Sequence, residues 1–497
     1  MRVVIVGGGS AGWMAAAMLS RMMGRQLDIT LVESDDIATV GVGEATIPPI
    51  QHFNRVLGIS ETDFLRETGG TFKLGIEFEN WLEQGHCYMH AFGGLGKEMG
   101  LSPFHHSWLR AVAHGRNDSL WDFSLNYQAA KANKFQPLSS IPNTKLPGLV
   151  HAYHFDAGLY AKYLSKLSRG WGVKRVEGLI EQVNLRQVDG AIESLRLRSG
   201  EQVEADLYID CSGFRSLLLG SALKVEFEDW RHWLPCDRAM AVPSERIAPL
   251  QPYTRSTAHR AGWRWRIPLQ HRTGNGLVYC SEYLTEEQAS VLLMEQLDAP
   301  ALAEPRLIHF TTGRRKQQWH KNCVALGLAS GFLEPLESTS LHLVQSGIVR
   351  LLKLFPRQGW VQQEIDEFNR QSQTEFEQIR DFIILHYALN RREEPFWQRC
   401  RDMPIPESLS QKLALFAKTG KVFREQDELF TEVAWQQVML GQGIQPEAYH
   451  PMADALSEAQ LNELLDSLRT IFAGTVQRLP AHDEFINSYC ASSSTFC

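Results

Sequence analysis

The sequence holds 497 residues, 44% hydrophobic and 22% charged, which is enough to bury a large core and to build two or more domains. A net charge of −7, with no Lys/Arg run long enough to coat a phosphate backbone, excludes nucleic acid as an expected partner. The eight cysteines form no C-x-x-C pair and no cluster at zinc spacing, so neither a disulfide framework nor a metal site is expected, and a reducing cytoplasm suits the chain best.

In chain order, VVIV at 3–6 is a β-branched run, 11–25 carries helix formers, and DITLVE at 28–33 is a second strand. This strand, turn, helix, strand order predicts a βαβ unit and a parallel sheet. The glycines of 7–9 interrupt the one N-terminal stretch that resembles a signal peptide, and no other apolar run is long enough to span a bilayer. Gly7, Gly9 and Gly12 form G-x-G-x-x-G between that strand and helix, where backbone N–H groups can approach a pyrophosphate. Glu33 ends the second strand, where an acid can accept ribose hydroxyls. The pattern indicates a dinucleotide and leaves FAD and NAD undistinguished.

Further strands are predicted at 174–183, 192–198, 204–210 and 324–330. Beyond about residue 360 the apolar spacing becomes helical, with Ile365, Phe368, Phe376, Ile379, Phe382 and Ile383 near one face. Ser457 and Gln460 have capping-box spacing ahead of Leu461, Leu464, Leu465, Leu468 and Ile471. The absence of repeats and of long Pro/Gly linkers predicts interleaved modules.

GGGSAGWMAA at 7–16, GVGEATIP at 41–48, TFKLGIEFENW at 71–81, HAYHFDAGL at 151–159, DLYIDCSGF at 206–214, GWRWRIP at 262–268 and FLEPLEST at 332–339 together resemble, in order, the blocks of the flavin-dependent tryptophan halogenases. The resemblance covers roughly residues 3–387. It implies an α/β fold in which a parallel-sheet, Rossmann-like FAD module of the flavin monooxygenase type, 1–75 and 150–360, is interleaved with a largely helical substrate module, 76–149 and 361–497. It also implies FADH2 supplied by a separate NAD(P)H-dependent flavin reductase, and a chloride or bromide ion as co-substrate. The assembly state stays open, with a dimer as one option.

By the same resemblance, Lys73 receives hypohalous acid at the end of a tunnel from the flavin, either by hydrogen bonding or as a haloamine. Glu337 stabilises the cationic ring and takes its proton. Thr339 and Ser340 present backbone N–H groups to the halide; Ser340 stands where the tryptophan enzymes have glycine, which leaves halide preference open. Ser338 links the flavin and substrate sites. Ser10, Ala11, Leu328 and Leu341 flank the FAD, 38–46 straps it, and Ile180 touches adenine. Trp263 and Trp265, in W-x-W-x-I-P, keep organic substrate away from the flavin, although an aromatic core strand would carry the same pattern. His90 and Phe92 form an H-x-F that stacks on an indole.

The segment FREQDELFTEVAWQQVMLGQGIQP at 423–446 lacks the tyrosine pair with which the family grips an amino acid, and the family's roles are not carried over to its Glu432 and Trp435. The expected substrate is therefore an electron-rich aromatic such as indole, a substituted indole, a peptide or a larger arene rather than free tryptophan. An aromatic flavin hydroxylase and a non-catalytic flavin-binding protein are the competing readings.

Overall fold

Val3, Val4, Ile5 and Val6 are apolar on both faces of a strand, a pattern that suits the middle of a parallel sheet. In the computed structural model, which describes residues 1–36 and 43–492, they occupy that place. The strand Arg2–Val6 pairs in parallel with Asp28–Glu33 on one side and Leu207–Asp210 on the other. The six-stranded sheet continues outward to Lys174–Glu177 at one edge and to Cys323–Ala325 and Trp319–His320 at the other. The helix Ser10–Met23 follows the first strand, its buried run of three alanines allowing close packing. This is the predicted βαβ unit.

Three predicted strands are shorter than expected. The 174–183 run breaks at Gly178 into Lys174–Glu177, in the parallel sheet, and Ile180–Leu185, in a separate three-stranded antiparallel sheet. The 204–210 run likewise divides between those sheets, as Gln202–Glu204 and Leu207–Asp210. At 324–330 only Cys323–Ala325 is strand, because Gly327 turns the chain at φ +63° into a short 3-10 helix.

The chain divides into two compact units, 1–70 with 155–237 and 308–377, and 71–154 with 238–307 and 378–497. In this division residues 238–307 group with 71–154 and 378–497. Backbone pairing is the cause: Thr254–His259 lies parallel to Gly75–Glu79, and Gly262–Pro268 and Thr273–Tyr279 follow in antiparallel register. The second unit is thus not only helical. It holds six strands of a seven-stranded sheet, Arg238–Ser244, Thr273–Tyr279, Gly262–Pro268, Thr254–His259, Gly75–Glu79 and Cys87–Ala91 in spatial order. The C-terminal third is helical as predicted, and Glu458–Arg478 opens with the Ser457–Gln460 capping box. Among the described residues no helix is long and apolar enough to cross a membrane.

Candidate functional site

In the first unit the glycine loop is shaped by what cannot stand there. A Cβ on Gly7, at φ +111°, would lie 2.2 Å from the carbonyl oxygen of Cys211, and one on Gly12 would lie 1.9 Å from that of Gly7. Gly8, outside the G-x-G-x-x-G spacing, is equally constrained, because a Cβ would overlap the Glu33 carboxylate. Gly9 is different: nothing lies within 4 Å of its would-be Cβ, and it caps the helix Ser10–Met23 without a side-chain bond. Open space over amides at the positive end of a helix suits a pyrophosphate. Glu33 accepts a 2.5 Å bond from Arg175 Nε, and Arg175 also reaches Asp35.

Leu328 sits on the 3-10 turn Gly327–Ala329, whose glycine approaches Ala11 closely enough that a Cβ would come within 2.9 Å of it. The loop, Glu33 and the Leu328 turn are therefore brought together, while Ile180 packs at the edge of the apolar cluster around Val4, Leu195 and Tyr208. Of the expected strap, residues 38–42 lie outside the described residues. Its later part includes Glu44, whose carboxyl is pushed up to about 7 by burial and then by the charge of Asp156.

Glu337 is fully buried at the end of the 3-10 turn Pro335–Glu337. Ser338 follows in the left-handed region at φ +59°, a conformation costly for a residue with a Cβ. Thr339 then caps the helix Ser340–Lys353, which packs against the N-terminal helix and carries Leu341 in its first turn. Thr339 makes no side-chain cap, and its buried Oγ1 has no hydrogen-bond partner among the described residues. First-turn amides beside an uncommitted hydroxyl suit a small anion.

Lys73 belongs to the second unit, fully buried at the end of the strand Thr71–Lys73, with Nζ 5.4 Å from the centre of the Phe92 ring. Two histidines brace this strand. Thr71 Oγ1 donates to the Pro268 carbonyl at 2.7 Å, so it accepts from His154 Nδ1 at 3.1 Å; His154 Nε2 meets Thr254 Oγ1 at 2.9 Å, a hydroxyl able to donate to a neutral ring. His482 Nε2 accepts the Phe72 N–H, and its Nδ1 donates to the Leu250 carbonyl. The partners of His482 make its ring neutral, and titration does the same for His154. Burial, then repulsion by Lys73, holds His154 well below its ordinary range, and burial pushes His482 down to about 4.

The Phe92 N–H bonds the Leu74 carbonyl, which fastens the H-x-F strand to the lysine strand. The His90 and Phe92 rings lie 6.2 Å apart at 84°, so the pair offers a face and an edge rather than two parallel walls. Trp263 and Trp265 share one face of their strand, 6.0 Å apart. Trp263 is 1% exposed and meets Trp81, itself packed on Tyr387 and Trp397, while Trp265 lies over Gly276. In the diverged C-terminal segment, Trp435 is buried and gives its indole N–H to Glu428 at 2.7 Å, and Glu432 accepts the Arg424 N–H.

Several residues here carry no motif. Asp210 accepts from the amides of Ser212, Leu218 and Leu219 and shapes the turn whose Cys211 carbonyl abuts Gly7; its place at a strand end before C-S-G was the available signal. Arg175, His482 and Phe430 come from scattered positions and offer none, whereas His154 lies in the 151–159 block and Phe382 on the predicted helical face.

The sequence profile of the family described as tryptophan halogenase matches residues 2–458. Curated relatives include the tryptophan 6-halogenase of Streptomyces toxytricini, 33% identical over 97% of each chain, and the tryptophan 7-halogenase of Lentzea aerocolonigenes, 32% identical over 98% of each. Solved structures of flavin-dependent halogenases superpose closely. That from Xanthomonas campestris gives a TM-score of 0.96 at 49% identity over 99% of both chains, and that from Brevundimonas sp. BAL3 gives 0.94 at 45% over 98% and 99%.

Proposed function

The chain belongs to the tryptophan halogenase family and is a flavin-dependent halogenase, and on that premise we propose that it halogenates a neutral indole derivative, with hypohalous acid delivered to Lys73. The observation that carries this reading is the setting of Lys73, a fully buried ammonium against an aromatic ring whose neighbouring histidine is held neutral. Burial beside a ring shelters the side-chain nitrogen from solvent, and a hydrogen bond made there is stronger than one made in water.

Bound FAD, reduced by a separate NAD(P)H-dependent reductase, supplies with O2 and halide the hypohalous acid. The residues of the chain do the rest. The loop from Gly7 to Gly12 and the helix start at Ser10 hold the pyrophosphate, with Glu33 at the ribose. Ile180, Leu328 and Leu341 flank the cofactor, and Ser338 holds the turn between Glu337 and Thr339. The amides of Thr339 and Ser340, with Thr339 Oγ1, hold the halide. Trp263 and Trp265 keep the arene from the flavin. Lys73 orients the hypohalous acid and donates a proton to its oxygen, so that the oxygen–halogen bond breaks, the halogen bonds to a ring carbon and the oxygen leaves as water; the ring proton then taken up balances the one Lys73 has given. Glu337 takes the proton that the ring carbon loses, restoring aromaticity.

Incubation with a flavin reductase, NADH, FAD, O2, bromide and indole, followed by mass spectrometry, tests the reading. Brominated indole is the expected product. Hydroxylated indole without bromination would overturn it in favour of an oxygenase.

A further inference from the structure

Beside the H-x-F pair lies a group of rings that no role above uses. Neighbouring groups lead from Lys73 Nζ to Phe92 at 5.4 Å, from Phe92 to His90 at 6.2 Å between ring centres, and from His90 to Phe382 at 5.7 Å and Phe430 at 6.2 Å. Phe382 and Phe430 stack at 3.7 Å and 14°, and Trp435 meets Phe382 edge-on at 4.8 Å. All three are at most 4% exposed, so this side of the pair is closed by rings. The Glu428 carboxylate beside Trp435 is already committed: it receives Trp435 Nε1 at 2.7 Å, Lys412 Nζ at 3.0 Å and the Glu425 N–H at 2.8 Å. Lys412 in turn lies over the Trp435 ring at 4.3 Å.

This group of rings is anchored to the H-x-F strand. Gln437, on the helix Glu432–Gly441, gives its amide N–H to the Ala91 carbonyl at 3.0 Å and accepts the Ala91 N–H at 3.1 Å, so it pairs with the strand edge as another strand would. Glu428 ties the loop just before Phe430 to the same helix through Trp435. Phe430 is therefore held from both sides.

We propose that Phe430, stacked on Phe382, is a specificity-determining wall that receives the unreactive end of the arene, so that the substrate is a neutral bicyclic arene with no charged group at the end remote from its reacting carbon. The proposal rests on the halogenase reading for which carbon reacts, and on geometry alone for the wall. A zwitterionic amino-acid group at that end would be stripped of water against rings, with Glu428 unable to answer its ammonium. Phe430 sets substrate length; Glu428 and Gln437 are positioning residues that act through it.

Calorimetric binding of indole and of L-tryptophan to the full-length protein, without reduced flavin, separates this from catalysis. Wild type is expected to bind indole at least about tenfold more tightly than tryptophan, Phe430→Ala to lose about tenfold in indole affinity while gaining a phenyl-substituted indole, and Phe430→Trp to retain indole. Glu428→Gln, with unchanged melting temperature, is expected to weaken indole severalfold without touching flavin binding. Equal binding of tryptophan and indole by wild type, or a folded Phe430→Ala protein with unchanged preference, overturns the proposal. Indole binding by the wall without bromination would overturn the halogenase reading and leave the wall standing.

Discussion

The glycine loop after Val6 and the ring cluster around His90 are both expected to hold planar, partly aromatic ligands, yet they are built in opposite ways. The loop works by the absence of side chains: Gly7, Gly8 and Gly12 sit where any Cβ would collide, and its donors are backbone amides. The cluster works by side chains from positions 90, 92, 382, 430 and 435, brought together only by the fold. A site made of backbone is written within one local stretch, whereas a site made of side chains is written across the chain. The two should also fail differently when altered.

The largest expected effect is on the side-chain region. Lys73→Ala should lower bromination of indole by about 10³-fold, the scale of a positioned proton-donating group, while FAD still binds with its wild-type absorbance shift. Retained turnover would remove Lys73 from the chemistry and leave the aromatic region a binding surface only.

The loop should respond to a methyl group instead. Gly7→Ala places a Cβ against the Cys211 carbonyl at a φ of +111° and should cost about 1–3 kcal/mol of stability along with flavin binding. Gly9→Ala meets nothing within 4 Å, so its melting temperature should match wild type while FAD affinity falls at least about tenfold. If both variants lost stability equally, the distinction between a packed glycine and a ligand-facing one would collapse.

That contrast also explains what could be read in advance. The parallel βαβ start, the glycine turn between its strand and helix, and the Ser457 capping box follow from spacings of a few residues, and they stand where expected. The assignment of 238–307 to the second unit does not, because it is decided by the pairing of Thr254–His259 with Gly75–Glu79, strands nearly two hundred residues apart in sequence. Lys73 and Glu337 were visible only through their family contexts. The neutrality of His154 and His482 rests on burial and on partners that no local pattern names.

Those histidines give the next effect. Burial holds His105 and His482 at about 4 and His106 and His259 at about 3, all in the second unit. Each folded value lies below the ordinary 6.5, so between about pH 6.5 and 4 the unfolded chain binds protons that the folded chain does not, and stability present above that window is lost as pH falls through it, by about 3 kcal/mol for His482 alone. Hydrogen exchange at about pH 5 should therefore open peptides of the second unit before those of the nucleotide sheet. His482→Gln should melt lower at neutral pH yet lose less on acidification. An unchanged acid slope would mean that the ring is not the group being protected.

The smallest effect discriminates most finely, because it sits where the two modes of construction meet. Thr339 contributes a backbone amide, as the loop does, and a buried hydroxyl without a partner, as the side-chain region does. A buried hydroxyl that bonds nothing costs about 1–3 kcal/mol, and Thr339→Val removes it at nearly constant volume, so the variant should be no less stable than wild type. If the hydroxyl is there to meet the halide, the KM for bromide should rise severalfold while the KM for indole stays fixed. If the amides alone hold the anion, the melting temperature should rise and the bromide KM should not move, and the halide site would then be a backbone site like the glycine loop.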